Sequence, residues 1–256
     1  MHVTAKDGCR LQVRDEGPRE GRAVVFANSL GTDLRIWDDV VALLPSDLRI
    51  VRFDLRGHGG SDVPEGPYAM GTLVSDAEAV MDGLALQDAS FVGLSIGGMI
   101  GQALAVKRPD LVARLVLSNT AAKIGTPSMW ADRIAAVREG GLERIAAAVM
   151  ERWFGRDFRA GPELATWRAR LLETPAEGYA GCCAAIAGTD LYTPTSGLRL
   201  PVLAIAGSED GATPPDLVRE TATLVPASRF EIVRRAGHLP CVERPGDYAR
   251  LLAEFV

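Results

Sequence analysis

The sequence predicts an α/β fold, with a mostly parallel β-sheet flanked by helices and an inserted helical cap. Short β-rich segments alternate with helical patterns near both ends of the chain, whereas the middle shows helical periodicity alone. With 256 residues, 47% of them hydrophobic, the chain is long enough to bury the core of such a domain.

Short apolar segments rich in Val, Ile and Phe and bounded by turn residues predict the strands, at residues 10–14, 23–27, 49–53, 89–93, 115–118, 202–206 and 229–233. Amphipathic segments between and after them predict the core helices, at residues 37–43, 72–84, 97–108, 215–224 and 245–255.

The segment from about residue 123 to residue 192 contains no convincing strand. Helical periodicity recurs there at residues 130–139, 142–153, 162–173 and 175–186, with Gly and Pro residues between the segments. We therefore expect residues 1–122 and 193–256 to form the core and residues 123–192 to form a cap. Because an insertion after a parallel strand lies at the carboxyl ends of the strands, the cap should cover the site.

Composition limits the location and the partners. A net charge of -5 argues against nucleic acid, whose phosphates need clustered Lys and Arg. No apolar segment is long enough to span a bilayer, and residues 1–8 lack the apolar core of a secretion signal, so we expect a cytoplasmic location and no membrane partner. The four cysteines lack zinc-site spacing, which predicts core residues and no metal. The oligomeric state is left open.

Ser95 is the candidate nucleophile. It lies in Gly93-Leu94-Ser95-Ile96-Gly97, directly after a predicted strand and directly before a predicted helix, which is the setting of a nucleophile elbow. A phosphate-binding loop would instead end in Gly-Lys-Ser/Thr, and no lysine follows here. The pattern therefore predicts acyl transfer through a serine ester.

A serine hydroxyl needs a neighbouring base, and only three histidines are present. His2 lies at a chain end that we expect to fray. His58 lies in a polar, glycine-rich turn before the serine, which indicates a structural role. His238 follows the last predicted strand and fits the chain order serine, acid, histidine, so it is the predicted base.

The acid that orients the histidine should follow the strand at residues 202–206. Glu209 and Asp210 compete for this role. We favour Asp210, because the glycine-flanked turn leaves it free to face the histidine loop, and we expect Glu209 to be solvated or to cap a helix.

The oxyanion hole should combine two backbone N–H groups. One is that of the residue after the nucleophile, Ile96, and the other comes from the loop after an early strand. In that loop Leu30 is the predicted donor, with Ser29 as its alternative.

Nearly the whole chain resembles the 3-oxoadipate enol-lactonases, which have the α/β-hydrolase fold and act in the β-ketoadipate route of aromatic breakdown. The elbow and the turn at residues 54–59 occur across many hydrolases, whereas the other segments are more discriminating. The more specific segments are Asn28-Ser29-Leu30-Gly31, Leu117-Ser118-Asn119-Thr120, Arg152-Trp153-Phe154 and Gly178-Tyr179-Ala180-Gly181-Cys182-Cys183.

The resemblance implies Ser95 as nucleophile, Asp210 as acid and His238 as base, in agreement with the order of these residues along the chain. It implies hydrolysis of 3-oxoadipate enol-lactone to 3-oxoadipate through a serine acyl-enzyme, with no metal or organic cofactor. The chain departs from the family at Gly237 and Cys241, where alanine and asparagine are expected.

The implied substrate is a small anionic lactone, so a cationic group of this acidic chain should face the pocket. The candidate cations in the cap are Lys123, Arg133 and Arg152, each of which could equally lie on a solvated helix face. Trp130 and Trp153 are candidate lining residues, although large aromatic residues in helices more often belong to the core.

Two alternatives remain open. Another cofactor-free hydrolase, such as a carboxylesterase or a carbon–carbon bond hydrolase, would share the elbow. Dehalogenases and epoxide hydrolases place aspartate where this chain has Ser95. A noncatalytic binding protein could keep the fold, since fold alone does not prove activity, but such proteins usually lose one member of the triad.

Overall fold

The computed structural model describes residues 1–256 and contains one eight-stranded β-sheet. The strands are β1 (His2–Thr4), β2 (Arg10–Glu16), β3 (Ala23–Ala27), β4 (Arg49–Phe53), β5 (Ala89–Leu94), β6 (Val112–Ser118), β7 (Val202–Gly207) and β8 (Arg229–Val233). Their order in the sheet is β1-β2-β4-β3-β5-β6-β7-β8. Strand β2 pairs antiparallel with β1 and β4, and all other pairs are parallel.

Helices connect the strands and form the middle of the chain. Those of the sheet region are α1 (Asp38–Val41), α2 (Met70–Gly83), α3 (Ile96–Lys107), α9 (Tyr192–Ser196), α10 (Pro215–Thr223), α11 (Pro240–Glu243) and α12 (Pro245–Ala253). Between β6 and α9 lie α4 (Pro127–Gly140), α5 (Glu143–Trp153), α6 (Arg156–Arg159), α7 (Glu163–Leu172) and α8 (Ala176–Ala187). None of the helices is both long enough and apolar enough to traverse a bilayer.

The predicted fold class is confirmed, and the differences are local. The helix predicted at residues 37–43 is a 3-10 turn, Leu34–Trp37, followed by the short α1. Strand β1 and the short helices α6, α9 and α11 are absent from the prediction, because three to five residues carry too little periodicity. The chain end at His2 was expected to fray, but His2 is ordered in β1 and pairs with Gln12 of β2.

The core explains why the central strands read as continuous apolar segments. Every residue of β5 and β7 is buried, as expected for parallel strands covered on both faces. One apolar cluster joins the sheet to the helices that follow β6, and it includes Val92, Ile205, Trp130, Val149 and Leu171. These helices are therefore packed onto the sheet, while the cap boundaries at residues 123 and 192 stay a prediction.

Candidate active site

Ser95 lies on a sharp turn between β5 and α3. Its backbone has φ 57° and ψ -117°, a conformation that is rare for a residue with a side chain. Neighbouring groups hold this turn: the Ser95 N–H donates to the Ser118 carbonyl at 2.9 Å, and Thr120 Oγ1 donates to the Ser95 carbonyl at 2.6 Å. The strain is therefore imposed by the end of β6 beside it.

The glycines around Ser95 allow backbone segments to touch. A β-carbon at Gly93 would lie 2.3 Å from the Gly97 carbonyl oxygen, and one at Gly97 would lie 2.3 Å from the Ala27 carbonyl oxygen. Both distances are far below van der Waals contact. Only glycine at these two positions lets α3 begin directly against the ends of β5 and β3.

The two other predicted triad members form a buried pair. His238 Nδ1 lies 2.9 Å from Asp210 Oδ2, and both residues are almost completely buried. Asp210 Oδ1 accepts the backbone N–H groups of Ala212 and Thr213 at 2.7 and 3.0 Å, which orients the carboxylate. Burial opposes its charge, but His238 and hydrogen bonds from Asn119 and Thr213 outweigh burial and lower the pKa of Asp210.

Glu209, the competing carboxylate, has a different partner. Its Oε2 accepts the backbone N–H of Arg156 at 2.7 Å, at the start of α6. It thus satisfies a helix N-terminus, one of the two roles expected for it.

Ser95 and His238 line the same cavity. The Ser95 hydroxyl and the His238 imidazole do not form a hydrogen bond in this structure, where the ring contacts Thr213 and Asp210. Such contacts are often long without substrate and tighten in the Michaelis complex.

The loop after β3 presents a free backbone donor. The Leu30 N–H donates to no protein acceptor, and Leu30 lines the cavity. Ile96 is the first residue of α3, where backbone N–H groups have no partner within the helix. Ser29, the alternative donor residue, also lines the cavity. This arrangement suits an oxyanion hole.

His58 supports this loop rather than the chemistry. Its Nε2 accepts the Gly31 N–H at 2.9 Å, and its Nδ1 lies 3.2 Å from the Arg56 carbonyl oxygen, to which it therefore donates. Complete burial lowers the pKa of His58 to about 4, so the ring is neutral at pH 7. Gly31, which follows the candidate donor Leu30, is thereby fixed by a buried imidazole.

Asp54 holds the far end of the same loop. Its Oδ1 accepts the Leu34 N–H at 2.7 Å, and its Oδ2 accepts the Gly60 N–H at 2.9 Å. Burial raises the pKa of Asp54 to about 6. The polar turn after β4 thus has a structural role, as the sequence indicated.

The cavity above Ser95 has a volume of about 300 Å³. All four predicted cap residues, Trp130, Arg133, Arg152 and Trp153, line it. Several further residues line the cavity that sequence reasoning does not identify, which are Ile124, Met129, Val149, Tyr179, Ile186 and Thr213. Most of these are apolar residues at helical spacing, a pattern that does not distinguish a cavity wall from a core.

The charged side chains of the cavity wall are all positive. Arg133 and Arg152 line it without an ion pair to any carboxylate, and no Asp or Glu lines it. The Arg133 guanidinium lies 5.2 Å from the centre of the Trp130 ring. Lys123, the third candidate cation, lies outside the cavity, where its Nζ pairs with Asp190 at 3.2 Å. The cavity therefore favours an anion.

No three His, Cys, Asp or Glu side chains are grouped so that they could hold a metal ion. The four cysteines are buried and unpaired.

Comparison with known proteins finds enol-lactonases both by sequence and by structure. Residues 22–245 match the family model described as alpha/beta hydrolase fold. The chain is 36% identical to 3-oxoadipate enol-lactonase 2 of Acinetobacter baylyi, covering 95% of this chain and 91% of that protein. It is 34% identical to enol-lactonase 1 of the same organism, covering 99% and 96%. The enol-lactonase structure from Burkholderia xenovorans superposes with a TM-score of 0.95 at 37% identity, covering 100% and 99%.

Proposed function

This chain belongs to the alpha/beta hydrolase fold family, and we propose that it hydrolyses 3-oxoadipate enol-lactone to 3-oxoadipate through a serine acyl-enzyme. The observation that carries this proposal is a cavity with Ser95 in its wall, two unpaired guanidinium groups and no carboxylate. Enol-lactonase relatives that match almost the full length support the same substrate.

In the first step, His238 removes the proton of the Ser95 hydroxyl as its oxygen attacks the lactone carbonyl. Asp210 holds the imidazole through Nδ1 and stabilises the imidazolium that forms. The tetrahedral oxyanion is stabilised by the N–H groups of Leu30 and Ile96, which are placed before the charge develops.

In the second step, the tetrahedral intermediate collapses and the ring C–O bond breaks. The leaving group is an enolate oxygen, which bears charge better than an alkyl alkoxide, and it takes the proton from His238. The enol then tautomerises to the ketone, which draws the reaction forward. The acyl group remains on Ser95 as an ester.

In the third step, His238 removes a proton from water as the water attacks the ester. Collapse of the second tetrahedral intermediate returns the proton to Ser95 and releases the new carboxylate. The reaction as proposed needs only these groups and no cofactor.

We assign the substrate carboxylate to the two cap arginines. Arg133 and Arg152 supply the only guanidinium groups of the cavity wall, and no lysine lines it. Trp130 and Trp153 supply flat apolar surface beside them. A small lactone with one carboxylate matches both the charge and the volume of the cavity.

We also place the reaction in the cytoplasm, because free thiols are the form that a reducing compartment maintains. Fractionation of the native host tests this location.

The substrate is tested by comparing kcat/KM for the enol-lactone, a neutral p-nitrophenyl ester and a ring-fission dienoate. We expect the enol-lactone to exceed the neutral ester by at least about tenfold, the factor that one hydrogen bond to a charged group contributes. The dienoate also carries a carboxylate, so it tests which bond is cleaved, and we expect the enol-lactone to be turned over faster. Fastest turnover of the ester would make the protein a carboxylesterase. Fastest turnover of the dienoate would make it a carbon–carbon bond hydrolase. Acylation by a serine-directed phosphonate, absent in Ser95→Ala, separates all three from a noncatalytic binding protein.

A further inference from the structure

We propose that Asn119 is a positioning residue that fixes Asp210 and the loop of His238 in the arrangement needed for proton transfer. Asn119 directly follows β6, whereas Asp210 follows β7 and His238 follows β8. Its side chain thus stands where the ends of three neighbouring parallel strands meet. The role given to Asn119 rests on the proposed function, because it concerns the same triad.

The amide of Asn119 joins the loop that contains Asp210 (the acid loop) to the loop that contains Gly237 and His238 (the base loop). Its Nδ2 donates to Asp210 Oδ2 at 2.8 Å and to the Gly237 carbonyl oxygen at 3.2 Å. Asp210 Oδ2 is the same oxygen that lies 2.9 Å from His238 Nδ1. One amide group therefore contacts the acid and the residue that precedes the base.

The orientation of this amide is determined by its neighbours. Ser118 Oγ donates to Asn119 Oδ1 at 3.0 Å. A flipped amide would place Oδ1 against the Asp210 carboxylate and the Gly237 carbonyl, where no donor separates the oxygens. Asn119 is fully buried, so water cannot compensate for such a mismatch. Only the amide orientation that donates to Asp210 satisfies all these groups.

The backbone conformation of Asn119 does not by itself explain why asparagine, rather than another residue, occupies this position. Its φ is 47°, in the left-handed region that glycine adopts freely and that asparagine and aspartate tolerate. Its N–H donates to the Ile205 carbonyl at 2.8 Å, which any residue there could do. Glycine or aspartate would suit this backbone, and asparagine differs from them by its neutral donor group.

The carboxylate of Asp210 depends on this donor. Three groups surround its Oδ2: the Asn119 amide, the Thr213 hydroxyl at 2.8 Å and the His238 ring. The Thr213 hydroxyl can rotate, and it also lies 3.3 Å from His238 Nδ1. The Asn119 amide is the donor whose direction is fixed. Without it, Asp210 keeps its backbone donors but loses the group that sets Oδ2 against the imidazole.

The first test is Asn119→Gly, which keeps the backbone conformation and removes the amide. We expect kcat to fall about ten- to a hundredfold, the factor for a hydrogen bond to a charged group. We expect KM to change by less than about twofold, because residue 119 does not line the cavity. The melting temperature should fall by a few degrees, because buried hydrogen bonds are lost, but the variant should remain folded at the assay temperature, since glycine tolerates this φ.

The second test is Asn119→Asp, which is similar in shape and titratable. The titratable groups facing this position are Asp210 and His238. At low pH, the introduced carboxyl group and Asp210 share a proton, which forms a hydrogen bond between them. At higher pH both groups are ionised and their negative charges repel. We therefore expect the kcat of Asn119→Asp relative to Asn119→Gly to fall as the pH rises from about 5 to about 8.

Both variants should be assayed with a neutral p-nitrophenyl ester as well as with the enol-lactone. If the wild type hydrolysed the ester but not the enol-lactone, the proposed substrate would be wrong. The ester kinetics of the variants would then still test the role of Asn119. A kcat of Asn119→Gly within about twofold of wild type would refute the positioning role, as would parallel pH profiles of the two variants. A wild type inactive on both substrates would refute the role together with the proposed function.

Discussion

The backbone N–H of His238 donates to the carbonyl oxygen of Trp153 at 2.7 Å, which joins the base loop directly to the cavity wall. Glu243 strengthens this junction, because its two carboxylate oxygens accept the N–H groups of Gly155 and Gly237 at 2.9 and 2.6 Å. Burial raises the pKa of Glu243 to about 7. The position of the base and the shape of the substrate cavity are therefore linked.

This junction predicts the effect of Gly237→Ala. A β-carbon at position 237 would lie 2.5 Å from the Trp153 carbonyl oxygen and 2.9 Å from the Gly155 nitrogen. Relieving this clash must displace the base loop or the cavity wall. A displacement of about 1 Å can cost about a hundredfold in rate, so we expect kcat/KM to fall by at least about tenfold.

Gly188→Ala is the matched control, because its β-carbon would meet only the Ala184 carbonyl oxygen at an ordinary 3.7 Å. Equal kcat/KM values for the two variants would show that the approach of the loop to the cap does not matter for catalysis. The close approach also explains why this chain departs from the alanine that the family resemblance predicts at position 237.

The charge of the cavity predicts the effect of Arg133→Ala and Arg152→Ala. We expect each variant to raise the KM for the anionic lactone by about tenfold or more, because a hydrogen bond to a charged group is lost. The KM for a neutral ester should change by less than about twofold, since that substrate has no carboxylate. Steady-state kinetics on both substrates measure the difference.

Lys123→Ala serves as the control, because Lys123 lies outside the cavity and pairs with Asp190. Removing the same unit of charge there should leave both KM values unchanged. If the arginine variants raised the KM for the neutral ester as much as for the lactone, recognition of a carboxylate by these side chains would be excluded.

The buried His58 predicts a pH dependence of stability. Its pKa is lowered from 6.5 to about 4, so between these values the unfolded chain binds a proton that the folded protein does not. The free energy of unfolding should therefore decrease as the pH falls from 6.5 towards 4. The contribution of His58 to this decrease is at most about 3 kcal/mol.

His58→Gln isolates this contribution, because the Gln amide oxygen can accept the Gly31 N–H but does not titrate. Urea unfolding of both proteins at several pH values gives the difference in slope. We expect a shallower loss in the variant between pH 6.5 and pH 4. Parallel curves would mean that the pKa of His58 in the folded protein equals its pKa in the unfolded chain, which would contradict the lowered value.

Much of the fold follows from the sequence because parallel central strands are buried on both faces. Strands β3, β4 and β8 begin and end at the predicted residues, and the predicted elbow lies between β5 and α3. Strand β1 was not predicted, because it has three residues and its stability comes from pairing with β2. Short elements depend on tertiary contacts that local periodicity does not record.

Asn119 lies within a segment that resembles the family, but the sequence alone indicates no role for it. Its partners Asp210 and Gly237 are 91 and 118 residues away along the chain, so no local spacing connects them. Its position directly after a buried strand was the available signal, since polar residues at the carboxyl ends of parallel strands meet at one edge of the sheet. The sequence likewise does not show that Arg133 and Arg152 line the cavity while Lys123 lies outside it, because this depends on how the helices that follow β6 pack.

The most direct test of the proposed mechanism is the kcat/KM of Ser95→Ala for 3-oxoadipate enol-lactone, with the wild type measured in parallel. We predict a loss of about 10⁴-fold or more, because removal of a serine nucleophile abolishes the covalent route and leaves only the contribution of the oxyanion hole and of substrate binding. Activity of Ser95→Ala within about tenfold of wild type would contradict the serine acyl-enzyme mechanism.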